Sequence, residues 1–147
     1  MDDDDPPGSP RVLISDRQEL PVDAAGLAEV AREALRGEGL GRAELSLSFV
    51  GEDEIARLHE RYLGEPGPTD VLSFPLGDVD EDGVRIIGDV VVAPSVAARN
   101  NPADRAGELR LLVVHGVLHL LGYDHEDDGG RTRMWERQER YSRVRAP

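Results

Sequence analysis

The sequence has no cysteine among its 147 residues. Disulfides, thiolate metal ligands and cysteine nucleophiles are therefore all excluded. Lysine is also missing, so all 17 basic residues are arginine. Arginine suits bidentate phosphate contacts. Seventeen cannot all serve that way, and compositional bias is the simpler account. No apolar run reaches the roughly 20 residues needed to cross a membrane as a helix. The opening stretch, Met1-Asp2-Asp3-Asp4-Asp5-Pro6-Pro7-Gly8, is acidic and lacks the apolar centre of a secretion signal. A cytoplasmic protein with no membrane partner is expected. The length fits one domain that buries close to 70% of its extended-chain surface.

Positive charge is scarce overall and uneven. The formal net charge is −13, which argues against broad nucleic-acid affinity over the whole surface. Residues 131–147 hold six arginines against Glu136 and Glu139, a local balance of +4, leaving −17 over the first 130 residues. Arg131 and Arg133 open that basic end directly after the last histidine and are candidate phosphate contacts.

The most informative stretch is His115-Gly116-Val117-Leu118-His119-Leu120-Leu121-Gly122-Tyr123-Asp124-His125. On a helix, residues four apart share a face, so His115 and His119 can offer their rings to one point. Gly122 stands where a helix end favours positive φ, and the chain can then bring His125 towards the same point. The helix is apolar on nearly every side from Leu111 to Leu121. Buried imidazoles there need partners, and a metal serves both. Three neutral imidazoles suit zinc first, with nickel, copper or iron also possible, and leave a coordination position open for chemistry.

Zinc peptidases of the metzincin kind share this spacing but carry Glu directly after the first histidine, as general base. Gly116 occupies that position here and can neither take a proton nor orient a water. The usual peptidase route is disfavoured.

Taken in order, residues 1–10 read as a disordered acidic tail. Arg11–Ser15 is a short strand, Val22–Arg36 a helix helped by Asp23, and Glu44–Val50 an alternating, half-buried strand. A helix is expected from about Asp53 to Leu63 with Ile55, Leu58 and Tyr62 inward. Thr69–Pro75 reads as a strand closed by its proline. Asp78–Gly83 is a solvated acidic turn and Val84–Ala93 the most strand-like run of the chain. A helical stretch follows Pro94, the histidine helix runs from about Ala103 to Leu121, and a last helix spans about Arg131 to Arg143, burying Met134 with Trp135 or Tyr141. The fold expected is α+β or α/β-like: a small mixed sheet of about four strands, with the long histidine helix packed on it.

The strand Thr69-Asp70-Val71-Leu72-Ser73-Phe74-Pro75, the turn Gly88-Asp89-Val90 and the histidine motif together resemble the bacterial YbeY endoribonuclease family, or ribosomal RNA maturation factors. The resemblance runs from about Arg11 to Tyr141. It implies a metal-dependent endoribonuclease specific for single strands, acting on the 3′ end of the small-subunit ribosomal RNA and in ribosome quality control. It also implies one catalytic zinc per chain on His115, His119 and His125, single-stranded ribosomal RNA as substrate, and the ribosome or its proteins as partner. Residues 11–143 are expected to form that domain, with 144–147 a tail. Many family members carry an arginine after the tyrosine ending the second helix, where this chain has Leu63 after Tyr62. Arg61, about 200° round a helix from that position, does not simply replace it. The missing Glu leaves the general base to the metal-activated water or to a group of the RNA. The rival readings are a zinc metallopeptidase-like hydrolase and a non-enzymatic ribosome-assembly factor whose metal only pins the helix. Among single residues, His59 reads as a surface residue. Asp124 is either a holder of a histidine N–H or a helix-start residue. Asp70 and Ser73 either line the cleft or, the simpler account, are plain strand, and Asp89 reads as stabilising a turn or loop rather than acting in catalysis.

Overall fold

In the computed structural model, residues 8–123 and 128–144 are described. The first seven positions of the expected acidic tail lie outside them, as do Asp124, His125, Glu126 and Asp127, and residues 145–147 of the C-terminal tail. The elements run β1 (Arg11–Arg17), α1 (Ala24–Gly37), β2 (Ala43–Val50), α2 (Glu52–Leu63), β3 (Val71–Val79), β4 (Arg85–Val92), α3 (Pro94–Asn100), α4 (Arg105–Leu120) and α5 (Asp128–Ser142).

The four strands form one mixed sheet in the order β1-β2-β4-β3. β1, β2 and β4 are parallel, and β3 runs antiparallel to β4 along one edge. Because side chains alternate across a strand, β2 sends Leu45, Leu47 and Phe49 to one face and Ser46 and Ser48 to the other. The first face is the main core. There Leu45, Leu47, Phe49, Val90 and Val92 pack with Leu27, Ala31 and Leu35 of α1 and Val113, Val114 and Val117 of α4. A smaller cluster on the second face joins Ile55 of α2 to Leu72, Val91 and Ala93.

α1 and α4 each start on an aspartate cap. Asp23 accepts from the Gly26 N–H, and Asp104 from that of Gly107, both at 3.0 Å. Such a cap satisfies one of the donors that a helix start leaves unpaired. The expected help from Asp23 is thus a direct hydrogen bond.

Two expectations need correction. Pro75 does not close β3, which continues to Val79 through a register shift between Pro75 and Asp78. The reason is topological. β3 is an edge strand, where the missing proline N–H costs no ladder bond. Opposite the shift, Gly88 has φ +142°, and a Cβ there would lie 2.3 Å from the Phe74 oxygen. Asp89 sits within β4 rather than at a turn, paired across to Ser46 and Phe74. In α5, Met134 and Tyr141 are buried and Trp135 is 43% exposed.

Candidate metal centre and substrate cleft

α4 buries Leu109, Leu112, Val113, Gly116 and Val117, and turns His115 and His119 to the border of the core, where both are half-buried. Their rings stand one turn apart, centroids 4.4 Å and planes at 69°. Both line a cleft of about 520 Å³ with Ser73, Phe74 and Pro75 of β3 and Tyr62 and Leu63 at the end of α2. Neutral imidazoles in this pose can approach one ion from the same side.

Gly116 has a packing role that spacing alone does not reveal. A Cβ at this position would lie 2.6 Å from Val90 Cγ1 and 3.2 Å from the Ser73 hydroxyl oxygen. The bare backbone lets α4 press onto the sheet, and Ser73 Oγ donates to the Gly116 carbonyl at 3.0 Å. Position 116 therefore meets the sheet, and Ser73 is a tie between strand and helix.

The helix ends as the motif requires. Gly122 has φ +98°. Its N–H donates to the His119 carbonyl and that of Tyr123 to the Leu118 carbonyl, both at 3.1 Å, the paired bonds of a Schellman motif. The Tyr123 hydroxyl then donates to Glu38, the residue that caps the end of α1. His125, the third expected ligand, and Asp124 fall outside the described residues. Among the described residues, no group of three metal-binding side chains converges.

α5 returns along α4. Arg110 Nε donates to the Ser142 carbonyl at 3.1 Å, and His115 Nδ1 lies 2.6 Å from Gln138 Oε1. As α4 advances its partners on α5 recede, so the two helices are antiparallel. Glu38 anchors the pair to α1. It accepts the Tyr141 hydroxyl at 2.5 Å. Arg137 Nε lies 3.2 Å from the same carboxylate, close enough for an ion pair though not aligned as a hydrogen bond. Burial first, then the bond to Glu38, pushes the Tyr141 hydroxyl up to about 12. The bond to Glu38, then burial, raises Tyr123 as well.

The remaining candidates separate. Arg131 and Arg133 are both exposed on α5. At about 100° per residue, Arg131 falls about 20° from Gln138 round the helix and Arg133 about 140°. Only Arg131 shares the stripe that reaches His115. Tyr62, expected inward, is 56% exposed. It meets Phe74 edge-on at 5.2 Å and carries the Arg61 guanidinium 5.3 Å from its ring centroid. Leu63 is 58% exposed on the same rim. His59 is not a bare surface residue: Nδ1 bonds the Gly67 carbonyl at 2.9 Å and Nε2 lies 3.1 Å from Glu65, which pins the following loop. Asp70 accepts from Asn100 Nδ2 at 3.1 Å and so belongs to the scaffold. The sequence reading missed Gln138. Its one available signal was its place between Met134 and Tyr141 on the inward side of α5.

No helix among the described residues is long and apolar enough to cross a membrane. A family model described as "Endoribonuclease YbeY" matches residues 13–144. The chain is 45% identical over 141 residues to the Endoribonuclease YbeY of Thermobifida fusca, covering 85% of this chain and 87% of that one. It is 43% identical to that of Acidothermus cellulolyticus, covering 86% of each. The solution structure of TM1509 from Thermotoga maritima superimposes with a TM-score of 0.56 at 34% identity, over 88% of this chain and 87% of that one. With its mixed four-stranded sheet, its cleft beside the histidine pair and these likenesses over most of its length, the chain belongs to the YbeY endoribonuclease family.

Proposed function

We propose that this chain is a zinc-dependent endoribonuclease that cuts single-stranded RNA in the cleft beside α4, with one zinc ion held by His115, His119 and His125. The observation that carries the reading is the pair of half-buried imidazoles, 4.4 Å apart and facing an open cleft, in a chain of this family. The donor set fits: neutral imidazole nitrogens are ordinary zinc ligands, and three of them leave a position open. Zinc bound there supplies a Lewis acid that polarises a phosphoryl oxygen and activates water or the RNA 2′-hydroxyl.

The chain's own groups do the rest. Gln138 accepts from Nδ1 of His115, which leaves Nε2 as the nitrogen that would hold the ion. Ser73 and Gly116 hold α4 against the sheet, keeping the histidines level with the cleft. Among the described residues the cleft lining contains no arginine, so phosphate attraction is supplied from outside it, by Arg131 on the α5 stripe. Tyr62 and Phe74 offer aromatic surface to unpaired bases, a sequence-tolerant contact that a base stacked inside a duplex cannot make. The acidic bulk, −17 over the first 130 residues, makes affinity for free RNA weak. Ribosomal RNA is the substrate, at the 3′ end of the small-subunit RNA and in quality control. A ribosomal protein partner in the cytoplasm adds the missing contacts.

The test is cleavage of an end-labelled single-stranded ribosomal RNA segment against the same segment annealed to its complement, with and without a zinc chelator. Cleavage of the single strand alone, abolished by the chelator, is expected. Equal cleavage of the duplex, or none with zinc restored, overturns the reading. A cyclic phosphate on the product marks the 2′-hydroxyl route and a plain terminal phosphate the water route.

A further inference from the structure

We propose that Gln138 is the positioning residue that fixes the tautomer of His115 and so turns its Nε2 lone pair outward to receive an ion. The inference rests on the metal reading above but has a readout of its own. An amide oxygen accepts and cannot donate, so the ring nitrogen 2.6 Å from Gln138 Oε1 is the protonated one. Nδ1 therefore carries the hydrogen and Nε2 the lone pair. Were the amide nitrogen turned to the ring instead, Nδ1 would accept and the hydrogen would move to Nε2, the form that cannot bind a cation. The side chain's orientation thus selects between a competent ring and a blocked one.

Gln138 is itself held in place. Met134, one turn before it, and Tyr141, nearly one turn after it, are both buried. The Ser142 carbonyl takes the Arg110 guanidinium, and Tyr141 with Arg137 engages Glu38. The amide therefore meets His115 from an anchored helix, and little further side-chain freedom is lost when the bond forms. Partners of this kind orient ligating histidines and raise their basicity. A neutral amide does the first fully and the second only weakly. A carboxylate here would do both.

The discriminating variants are Gln138→Glu, which keeps an acceptor at the same reach, and Gln138→Leu, which keeps the bulk without one. Two measurements are made on the full chain. Long-range ¹⁵N–¹H spectra of the metal-free protein, at a pH where the ring is neutral, report the His115 tautomer. Competition against a chelator of known affinity reports zinc binding. Wild type and Gln138→Glu are expected in the Nδ1–H form. Gln138→Leu is expected to mix tautomers and to bind zinc about 10- to 100-fold more weakly, with the Glu variant restored to wild-type affinity or better. A merely structural link between helices predicts lost stability in both variants with the tautomer unmoved. The proposal is overturned if Gln138→Leu keeps the wild-type tautomer, or if Gln138→Glu binds zinc no better than the Leu variant. If the wild type binds no zinc, the metal reading fails while the metal-free spectra still decide the role of Gln138.

Discussion

The Ser73 hydroxyl donates to the Gly116 carbonyl across 3.0 Å and ties the edge strand β3 to the middle of α4, next to His115. Both walls of the cleft are set by this contact, because β3 supplies Ser73, Phe74 and Pro75 and α4 supplies the two histidines. Gly116→Ala forces a Cβ to within 2.6 Å of Val90 Cγ1 in the core. Overpacking of this kind costs about 1–3 kcal/mol, set against about 1 kcal/mol gained in helix propensity. A lower urea midpoint is expected, accompanied by weaker metal binding. Gly116→Glu should be worse for the same steric reason. A midpoint at or above wild type for Gly116→Ala would mean that α4 does not press on the sheet as described.

The two candidate arginines should behave differently. Arg131→Ser is expected to slow RNA cleavage and to flatten its salt dependence by roughly 1 in the log–log slope, as one counterion fewer is released. Arg133→Ser, on the far side of α5, should change neither. Cleavage rates at several salt concentrations separate them. An unchanged slope in Arg131→Ser means that the α5 stripe does not touch the substrate.

Tyr62 stands exposed and contributes little to the core. Its removal should act on substrate alone. A stacked base is worth about 1–3 kcal/mol, so Tyr62→Ala should raise KM for a single strand by about 5- to 150-fold, with thermal stability unchanged and Tyr62→Phe close to wild type. An unaltered KM in the alanine variant would remove Tyr62 from the substrate path.

The strand β2 was legible because Leu45, Leu47 and Phe49 alternate with serine, and one buried face enforces that period. The helix α4 and its end were legible from the histidine spacing and Gly122. Pro75 misled because strand order decides whether a proline interrupts a ladder, and strand order is not local information. Tyr62 misled for a similar reason. It follows the period of Ile55 and Leu58, but ends over the cleft beside Phe74. The contacts that Gln138 and Ser73 make at the site were not legible. Their partners lie 23 and 43 positions away and meet them only through packing.

Alkaline pH should loosen the α5 anchor. The Tyr141 hydroxyl is raised in the folded protein to about 12, above the ordinary value of about 10. Its contribution to stability is therefore fully present below about pH 10 and is lost as pH rises towards 12. Tyr123, also raised, adds to the same loss. Tyr141→Phe should be less stable than wild type at neutral pH and fall less steeply across that window. Parallel stability curves for the two proteins would show that the tyrosine does not titrate against Glu38.

The most direct test of the metal centre is elemental analysis of the purified protein and of its His115→Ala, His119→Ala and His125→Ala variants, each paired with cleavage of single-stranded ribosomal RNA. One zinc per chain is expected in the wild type. Each variant should lose most of the metal and all of the activity, because a site reduced to two ligands binds far more weakly. One equivalent of metal and full activity retained in any two of the three variants would contradict the assignment of these histidines.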